Sequence, residues 1–279
     1  MQVSGLINNN YVVAIESSGE EVIVKGTGIG FGARKGSYIS DSRIEKIYKI
    51  NDGHIITELK NLIKNIPEDR FSTCSEIVDY AKKKLGIGLN PNLYVTLTDH
   101  INYALVRYSK GIKLDNPMIE DIRGFYPKEF QIGQYAVDLI NKRHHAHFNE
   151  DEAGFIALHF VNAEANTAMN TTIKSTKLVR GALEIIEAFF NVTMDNDTVS
   201  YRRLVTHLQL IANNVFRNKC SISKPDAFNT TVSTSFPAEY ECSMKIAKYI
   251  KENYGHDLDD DELAYLTVNI SRVRTREAE

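Results

Sequence analysis

The sequence predicts a multidomain chain in which a small all-β N-terminal domain precedes two homologous all-α helical bundles. Three observations lead to this prediction. Short runs rich in Val and Ile, separated by turn residues, occupy residues 1–56. After Asp52-Gly53, apolar residues recur at helical spacing. Segments of this helical part then repeat at a nearly constant offset.

The β domain is expected over residues 1–56. Its strands are predicted from four runs, of which the last is the weakest: Gln2 to Ile7, Tyr11 to Ile15, Glu21 to Lys25 and Arg43 to Ile50. The segments between the first three have turn compositions. A unit of this size is marginally stable alone, so we expect dimerisation to help bury its apolar face.

The helical part is expected to form two modules, residues 57–170 and 171–279. Five helices are predicted in the first module from apolar spacing: Thr57 to Lys64, Cys74 to Leu85, Leu93 to Tyr108, Gln134 to Lys142 and Asp151 to Ala165. The polar, weakly patterned segment Ala165 to Thr172 is the predicted joint between the modules.

Three matches in the same order define the repeat. The segment around His100 matches the segment around His207 at an offset of 107 residues. Residues 130–140 match residues 240–250 at an offset of 110, and so do residues 149–152 and 259–262. The last pair reads Asn-x-x-Glu and Asp-x-x-Glu, which predicts a capping box at a helix start in both modules.

Composition excludes several classes of protein. The 279 residues contain 33 Lys and Arg against 36 Asp and Glu, a net charge of −3, so binding to nucleic acid through general basic charge is not expected. No apolar stretch approaches the ~20 residues that span a bilayer. The first ten residues lack a secretory signal pattern, and three scattered cysteines indicate free thiols in a reducing compartment. A soluble cytoplasmic protein without membrane insertion is expected.

Three histidines, His100, His159 and His207, are predicted to lie beside apolar helical stripes. Any one of them alone would be interpreted as a half-buried packing residue. Because His100 and His207 occupy equivalent positions in the repeat, a chemical role is favoured. An imidazole there could change charge near neutral pH, bind metal or act as a nucleophile.

Neither a metal nor a cofactor is expected. The histidines of His144-His145-x-His147 are interpreted as solvated loop residues rather than zinc ligands. Gly28-x-Gly30-x-x-Ala33 formally fits a dinucleotide fingerprint, but loop or strand residues follow it where that fingerprint needs a helix. No signature of a catalytic Ser or Cys nucleophile occurs, so no catalytic residue is assigned.

The Gly-rich stretch fits another use better. Glycines allow a close backbone approach, Phe31 offers a stacking plane, and Asn8 and Asn10 offer amide donors and acceptors. Irregular RNA is recognised by this combination of stacking and base-edge hydrogen bonds. Residues 1–56 carry six basic and six acidic side chains, so binding would depend on where these charges are placed.

These features together resemble the bacterial sugar-operon transcriptional antiterminators of the BglG and LicT type, over essentially the whole chain. The stretches that carry the resemblance are Leu6 to Asn10, Gly26 to Phe31, Ser42 to Lys46, Leu97 to Asn102, Glu150 to His159, Val205 to His207 and Asp261 to Thr267. Of these, Glu-Asp-Glu-Ala-Gly-Phe-Ile-Ala-Leu-His is the longest and most specific.

The resemblance implies a dimeric co-antiterminator domain that clamps an mRNA leader hairpin (the ribonucleic antiterminator) and excludes an overlapping terminator. Two regulation domains, controlled by the sugar phosphotransferase system, would follow it. The positions that match the family's RNA contacts are Asn8, Asn10, Gly26, Gly28 and Phe31.

By the same resemblance, His100 and His159 are phosphoacceptors for the B component of the sugar-specific permease (enzyme II), whose phosphate inhibits. His207 is an acceptor for the phosphocarrier HPr, whose phosphate typically activates. The protein would be a substrate of phosphotransfer, not an enzyme.

Two positions depart from the family pattern. Asn269 stands where a fourth histidine is expected, and an amide cannot accept phosphate, so activation would rely on His207 alone or be partly constitutive. Gly5 replaces a basic residue that is frequent in relatives.

Two alternatives remain open. The chain could be a phosphocarrier or metabolic enzyme that uses His100 or His159 as a transient nucleophile, although the distribution of these histidines over repeated modules argues against a single pocket. A regulator that binds duplex DNA is disfavoured, because the first domain shows no helix-turn-helix signature.

Overall fold

A computed structural model describes residues 1–167, 169–217 and 227–277 of the chain. The chain divides into two compact units. The first consists of Met1–Pro117 and Lys128–Asn166, and the second of Met118–Pro127 and Thr167–Glu279. No helix in the described ranges is long and apolar enough to cross a membrane.

The N-terminal part of the first unit is a four-stranded antiparallel meander with the strand order β1-β2-β3-β4. The strands are β1 (Gln2–Leu6), β2 (Tyr11–Ile15), β3 (Glu21–Lys25) and β4 (Lys46–Lys49), with a short 3₁₀ turn at Asp41–Arg43. The four predicted strands are therefore confirmed, the last one shorter than predicted.

Both faces of this sheet are covered. Because side chains alternate along a strand, Val12 and Ala14 point to one face and Tyr11 and Val13 to the other. The first face forms an apolar cluster consisting of Val3, Val12, Ala14, Val22, Val24 and Ile29. Burial on both sides explains why β2 and β3 read as continuous apolar runs instead of alternating with polar residues.

The second face packs on helices of the same chain through aromatic rings. Phe71 is fully buried, and its ring centroid lies 5.4 Å from that of Tyr11 and 5.3 Å from that of Tyr48. Tyr48 also meets Tyr94 edge-on at 5.4 Å and shares a 2.8 Å hydrogen bond with Ser75 Oγ. The sheet face that was expected to need a dimer mate is therefore covered within the single chain.

Eleven helices occur in the described ranges. In the order of the chain they are α1 (Gly53–Asn65), α2 (Glu68–Leu85), α3 (Leu93–Ser109), α4 (Ile119–Phe125), α5 (Pro127–His144), α6 (Glu150–Ala165), α7 (Met169–Phe190), α8 (Val199–Arg217), α9 (Ala227–Ser235), α10 (Pro237–Tyr254) and α11 (Asp260–Glu277). The five helices predicted in the first module are all present, several of them longer than predicted. The predicted joint is partly helical, since α7 begins at Met169.

The short helix α4 was not predicted, and its contacts cross the predicted module boundary. Residues 118–127 belong to the second unit, where Phe125 joins the apolar core formed by α7, α8, α10 and α11. Asp121 on α4 also pairs with Arg180 on α7 at 3.4 Å. Helix α4 has only seven residues, too few to show a helical period in the sequence.

The two predicted capping boxes have different outcomes. At the start of α11 the box is present: Glu262 N–H donates to Asp259 Oδ1 at 2.7 Å, and Asp259 N–H donates to Glu262 Oε2 at 3.3 Å. At the start of α6 the prediction is wrong, because Asn149 makes no cap hydrogen bond with its side chain. Glu152 is buried instead, with its carboxylate directed toward Arg107.

One of the three histidines in His144-His145-x-His147 differs from its interpretation as a solvated loop residue, whereas His145 and His147 are exposed and lie beyond the end of α5. His144 is the last residue of α5, and its side chain is only 8% exposed. Its ring hydrogen-bonds Thr73 at 3.0 Å and lies 3.3 Å from an Asp69 carboxylate oxygen. Cys74 and Cys242 are buried free thiols, whereas Cys220 lies outside the described residues.

Phe71→Ala is expected to destabilise the chain by about 3–5 kcal/mol, because it removes a fully buried ring from the contact between sheet and helices. Urea unfolding monitored by tyrosine fluorescence measures the change. Phe31→Ala is the matched control, since Phe31 is 79% exposed and its loss should change stability by no more than about 0.5 kcal/mol. Equal losses in the two variants would contradict the role given to the aromatic contact.

Candidate functional site

Two loops meet at one end of the sheet and bring the predicted RNA contacts together. Gly26 N–H donates to the carbonyl of Asn10 at 3.0 Å, and Gly30 N–H donates to the carbonyl of Asn9 at 2.9 Å. Asn8, Asn10, Gly26 and Gly28 are thereby gathered in one place. Phe31 belongs to the same loop, where its N–H donates to the Gly28 carbonyl at 3.0 Å.

The sequence predicts that Asn8 and Asn10 offer amide donors and acceptors to RNA. In the structure, both side chains are already hydrogen-bonded within the chain. Asn8 Oδ1 accepts hydrogen bonds from the N–H groups of Asn10 and Tyr11, both at 2.9 Å. Asn10 Oδ1 accepts from Gly28 N–H at 2.6 Å, and Asn10 Nδ2 donates to both carboxylate oxygens of Glu68 at 2.8 Å each. Glu68, in the first turn of α2, is thus a partner of this site that sequence reasoning missed.

The loop itself requires two of the predicted glycines. A Cβ on Gly26 would lie 2.0 Å from the Arg43 carbonyl oxygen, and Gly28 has a φ of +63°, in the left-handed region. The Arg43 guanidinium donates to the Gly28 carbonyl at 2.5 Å. The Phe31 ring, unlike the backbone of Gly26, is 79% exposed and is therefore open to a stacking partner.

His100 on α3 and His159 on α6 are neighbours, with ring centroids 4.9 Å apart. Beside them lies the buried carboxylate of Glu152. Its Oε2 accepts a hydrogen bond from Arg107 Nη2 at 2.5 Å, and its Oε1 lies 2.7 Å from His100 Nε2. The latter contact does not have the alignment of a hydrogen bond, so both of its atoms remain without a hydrogen-bond partner among the described residues.

Burial and the nearby His100 lower the pKa of His159 from 6.5 to about 3. Burial is the larger cause, because a low-dielectric environment disfavours the imidazolium form. His159 is therefore neutral throughout the physiological range. A neutral imidazole keeps a lone pair on one ring nitrogen, which is the form needed for attack on phosphorus.

His207 belongs to the second unit, where it lies on α8. Burial lowers the pKa of its ring, while a hydrogen bond to the Glu262 backbone and the Glu262 carboxylate oppose the shift. Its ring centroid lies 6.3 Å from that of Tyr265. Asn269 Nδ2 donates to the Tyr265 carbonyl at 2.8 Å, and Asn269 lines the same groove as His207.

The two modules share one arrangement around these histidines. Seven residues after the histidine, α3 carries Arg107 and α8 carries Asn214, and each donates to the glutamate at the start of the last helix of its module, α6 or α11. Asn214 Nδ2 reaches Glu262 Oε1 at 3.0 Å, as Arg107 reaches Glu152. Sequence reasoning treated these glutamates as helix caps only. A charged residue two helical turns after His100, on the apolar side of α3, was the available signal for Arg107.

The pKa of His159 predicts a pH-dependent loss of stability. In the unfolded chain the imidazole takes up a proton below about pH 6.5, whereas the folded protein resists protonation down to about 3. This contribution to stability is therefore complete above pH 6.5 and is lost as the pH falls toward 3. At pH 5 the loss is about 2 kcal/mol.

His159→Asn removes this titration and introduces the residue that the second module has at the equivalent position, Asn269. Urea unfolding at pH 7 and pH 5 should show a smaller pH dependence for this variant than for the wild type. Identical pH dependences would contradict the burial of a neutral His159.

Comparison with known families and proteins agrees with this architecture. Residues 1–55 match the CAT RNA binding domain, and residues 75–163 and 180–273 each match the PRD domain. The chain is 37% identical over 273 residues to the transcription antiterminator LicT of Bacillus subtilis, covering 98% of this chain and 99% of that protein. It is 33% identical to the beta-glucoside operon antiterminator of Dickeya chrysanthemi, covering 99% of this chain and 97% of that protein.

A solved structure shares the first part of the fold. The crystal structure of GlcT CAT-PRDI matches with a TM-score of 0.53 and 30% sequence identity, covering 58% of this chain and 96% of that one. The matched domains span nearly the whole sequence, with the CAT RNA binding domain first and the two PRD domains after it. The chain therefore belongs to the family of transcription antiterminators that join a CAT RNA-binding domain to two PRD domains.

Proposed function

We propose that this protein is a transcriptional antiterminator of a sugar-utilisation operon. A dimer binds a nascent mRNA leader hairpin and prevents formation of a terminator, and phosphorylation of histidines in the two PRD domains controls that binding. The observation that carries the proposal is the convergence of the Asn8–Asn10 and Gly26–Phe31 loops within the part of the chain that matches an RNA-binding domain.

The geometry of this loop pair suits irregular RNA. Phe31 presents an exposed ring for stacking on an unpaired base, next to the loop backbone at Gly28, which has open space on its Cβ side. The Arg43 guanidinium, exposed beside the same loop, supplies positive charge for a phosphate. The β domain has no overall basic charge, so the affinity depends on these local contacts.

We assign the phosphoacceptor role to His100 and His159 in the first module and to His207 in the second. A phosphoryl group adds about −1.5 to −2 charges. On His100 this charge would stand beside the Glu152 carboxylate, whose oxygen is now 2.7 Å from the ring. Repulsion at this distance in a buried site would separate α3 from α6, and a local modification would thereby change the packing of the module.

The surface of α3 indicates how that change is communicated. Tyr103 and Val106 lie one and two turns after His100 and are 61% and 36% exposed. An exposed apolar face beside the modified ring suits pairing with a second copy of the chain, and charge on His100 would alter that pairing. The proposed donors are the B component of a sugar-specific permease for His100 and His159, and HPr for His207.

The experiment that tests the RNA-binding proposal is a mobility shift of the full chain with the structured leader transcript of its operon. Phe31→Ala should weaken binding by about tenfold or more, since stacking on an aromatic ring contributes roughly 1–3 kcal/mol per base. Tyr38→Ala is the matched control. Tyr38 is 84% exposed but pairs with Gln2, at the opposite end of β1 from the candidate loops.

Binding that is insensitive to Phe31→Ala, or that falls equally in the Tyr38→Ala variant, would contradict the assigned interface. Failure of the full chain to bind any structured leader would contradict the proposed function itself.

Glu68 leads to a second expectation, because its carboxylate occupies the amide hydrogens of Asn10. An RNA acceptor that uses the same amide must displace Glu68. Glu68→Ala in the full chain should therefore strengthen leader binding several-fold in the same assay. Glu58→Ala on α1 removes an exposed carboxylate whose ionic partner within the described ranges is His54, and it should leave binding unchanged.

Asn10→Ala, measured separately, should abolish binding. If it does, and the Glu68→Ala variant binds the leader no more tightly than the wild type, Glu68 does not compete with RNA.

A further inference from the structure

His207 opens onto a groove of about 370 Å³ in the second unit. Besides His207 and Asn269, the groove is lined by side chains of α8, including Arg202, Arg203, Thr206 and Leu210. Arg203 precedes His207 by four residues, so the two side chains share one face of the helix. The groove thus combines an imidazole with two guanidinium groups.

The two arginines have no anionic partner in the described part of the chain. Both are exposed, and no acidic side chain among the described residues forms an ion pair with either of them. Elsewhere in the same unit, Arg180 and Arg274 pair with carboxylates at 2.8 Å. Adjacent unpaired guanidinium groups repel each other, and their planar forks of N–H donors match phosphate oxygens.

His207 itself is a second, independent indication of a ligand. Its Nε2 is buried and has no hydrogen-bond partner among the described residues. The Glu262 backbone also hydrogen-bonds the ring. A buried ring nitrogen without a hydrogen-bond partner is unusual, and in the neutral ring it can be the nitrogen that carries the lone pair.

The first module lacks these cations at the equivalent positions. At the repeat offset of 107, Arg202, Arg203 and Thr206 correspond to Val95, Thr96 and Asp99. His100 also has the Glu152 carboxylate 2.7 Å from its Nε2. The two predicted acceptors therefore differ in the charge of the neighbours on their own helix, with Asp99 before His100 and Arg202 and Arg203 before His207.

We propose that Arg203, assisted by Arg202, is a positioning residue that holds the phosphoryl group during its transfer to His207. Because the first module has no arginine at the position of Arg203, the two modules differ in the phosphoryl donors they accept. This inference rests on the proposed function. His207 Nε2 attacks the phosphorus of a phosphohistidine on the donor protein. The new N–P bond forms as the donor's N–P bond breaks, its electron pair returns to the donor imidazole, which takes up one proton, and His207 releases one proton to solvent.

The arginines would act on the peripheral phosphoryl oxygens, which carry their negative charge throughout the transfer. Guanidinium donors fixed at these oxygens orient the group in line with Nε2 and offset its charge in a partly buried groove. Asn269, which lines the same groove, can form hydrogen bonds with the phosphoryl group. Unlike a histidine, it cannot accept the phosphoryl group and so does not compete with His207 for it.

The test uses the full chain carrying His100→Ala and His159→Ala, so that His207 is the remaining proposed acceptor. The donor is radiolabelled phospho-HPr, generated from phosphoenolpyruvate and enzyme I. Arg203→Ala should slow label transfer roughly 10- to 100-fold, and Arg203→Lys should restore part of the rate. Arg272→Ala is the control, because it removes an exposed arginine of α11 that does not line the groove. Label transfer to this variant should be as fast as to the parent chain.

A purely structural effect of Arg203 is separated by two further measurements. The thermal midpoint of the Arg203→Ala variant should match that of the parent, and its transfer rate should depend less on ionic strength, because one attractive charge is missing. Equal transfer rates in the parent and the Arg203→Ala variant, with His207→Ala unlabelled, would overturn the positioning role and leave the proposed function intact. Undiminished labelling of His207→Ala would overturn both.

The converse substitution tests donor selection. Thr96→Arg in a chain carrying His207→Ala should increase the transfer of label from phospho-HPr to His100 at least several-fold. Thr96→Gln, which adds length without charge, is the matched control. No gain with arginine, or the same gain with glutamine, would overturn the assignment of donor selection to this charge.

Discussion

The histidine sites depend on the glutamate at the start of the last helix of each PRD domain, which is buried at Glu152 and half-buried at Glu262. Glu152 joins α6 to α3 through Arg107 and places its second oxygen against His100. Removing such a carboxylate from water is costly unless a cation and hydrogen bonds compensate for it, and Arg107 provides both. The pair therefore holds the two histidine-bearing helices in one register. An added negative charge on the ring acts directly on this contact.

The second PRD domain keeps the same frame with a weaker partner. Asn214 replaces the arginine, so Glu262 is held by a neutral donor and by its own capping box instead of an ion pair. The positively charged side chains of α8 near His207 are Arg202 and Arg203, which line the groove. The two modules thus share the histidine position of His100 and His207 but not that of His159, where the second module has Asn269, and the charged residues around the shared position differ.

In the first unit, the β domain and the helices are joined by contacts that involve the candidate RNA loops. The aromatic contact of Tyr11 and Tyr48 with Phe71 covers one face of the sheet, and at its edge Glu68 holds Asn10. Lys46 of β4 extends the same interface through Asp79 of α2, at 2.5 Å. Any movement of α2 relative to the sheet would therefore act directly on the Asn10 loop, so the helices and the candidate RNA site are coupled through adjacent contacts.

The sequence by itself determined the domain order, the four strands, the principal helices and the equivalence of the two helical domains, because these follow from local periodicity and from repeated motifs. It also predicted that His100, His159 and His207 lie beside apolar helical stripes, since the spacing of apolar residues around a histidine is a local pattern. Only the tertiary structure decided what surrounds them. Glu152 has the spacing of a helix cap, and whether its carboxylate turns back to its own helix or inward to Arg107 depends on a partner 45 residues away. The same holds for Asn10, whose amide is held by Glu68, 58 residues away. Contacts between distant segments leave no local pattern, so the electrostatic character of each site emerged only once the helices were packed.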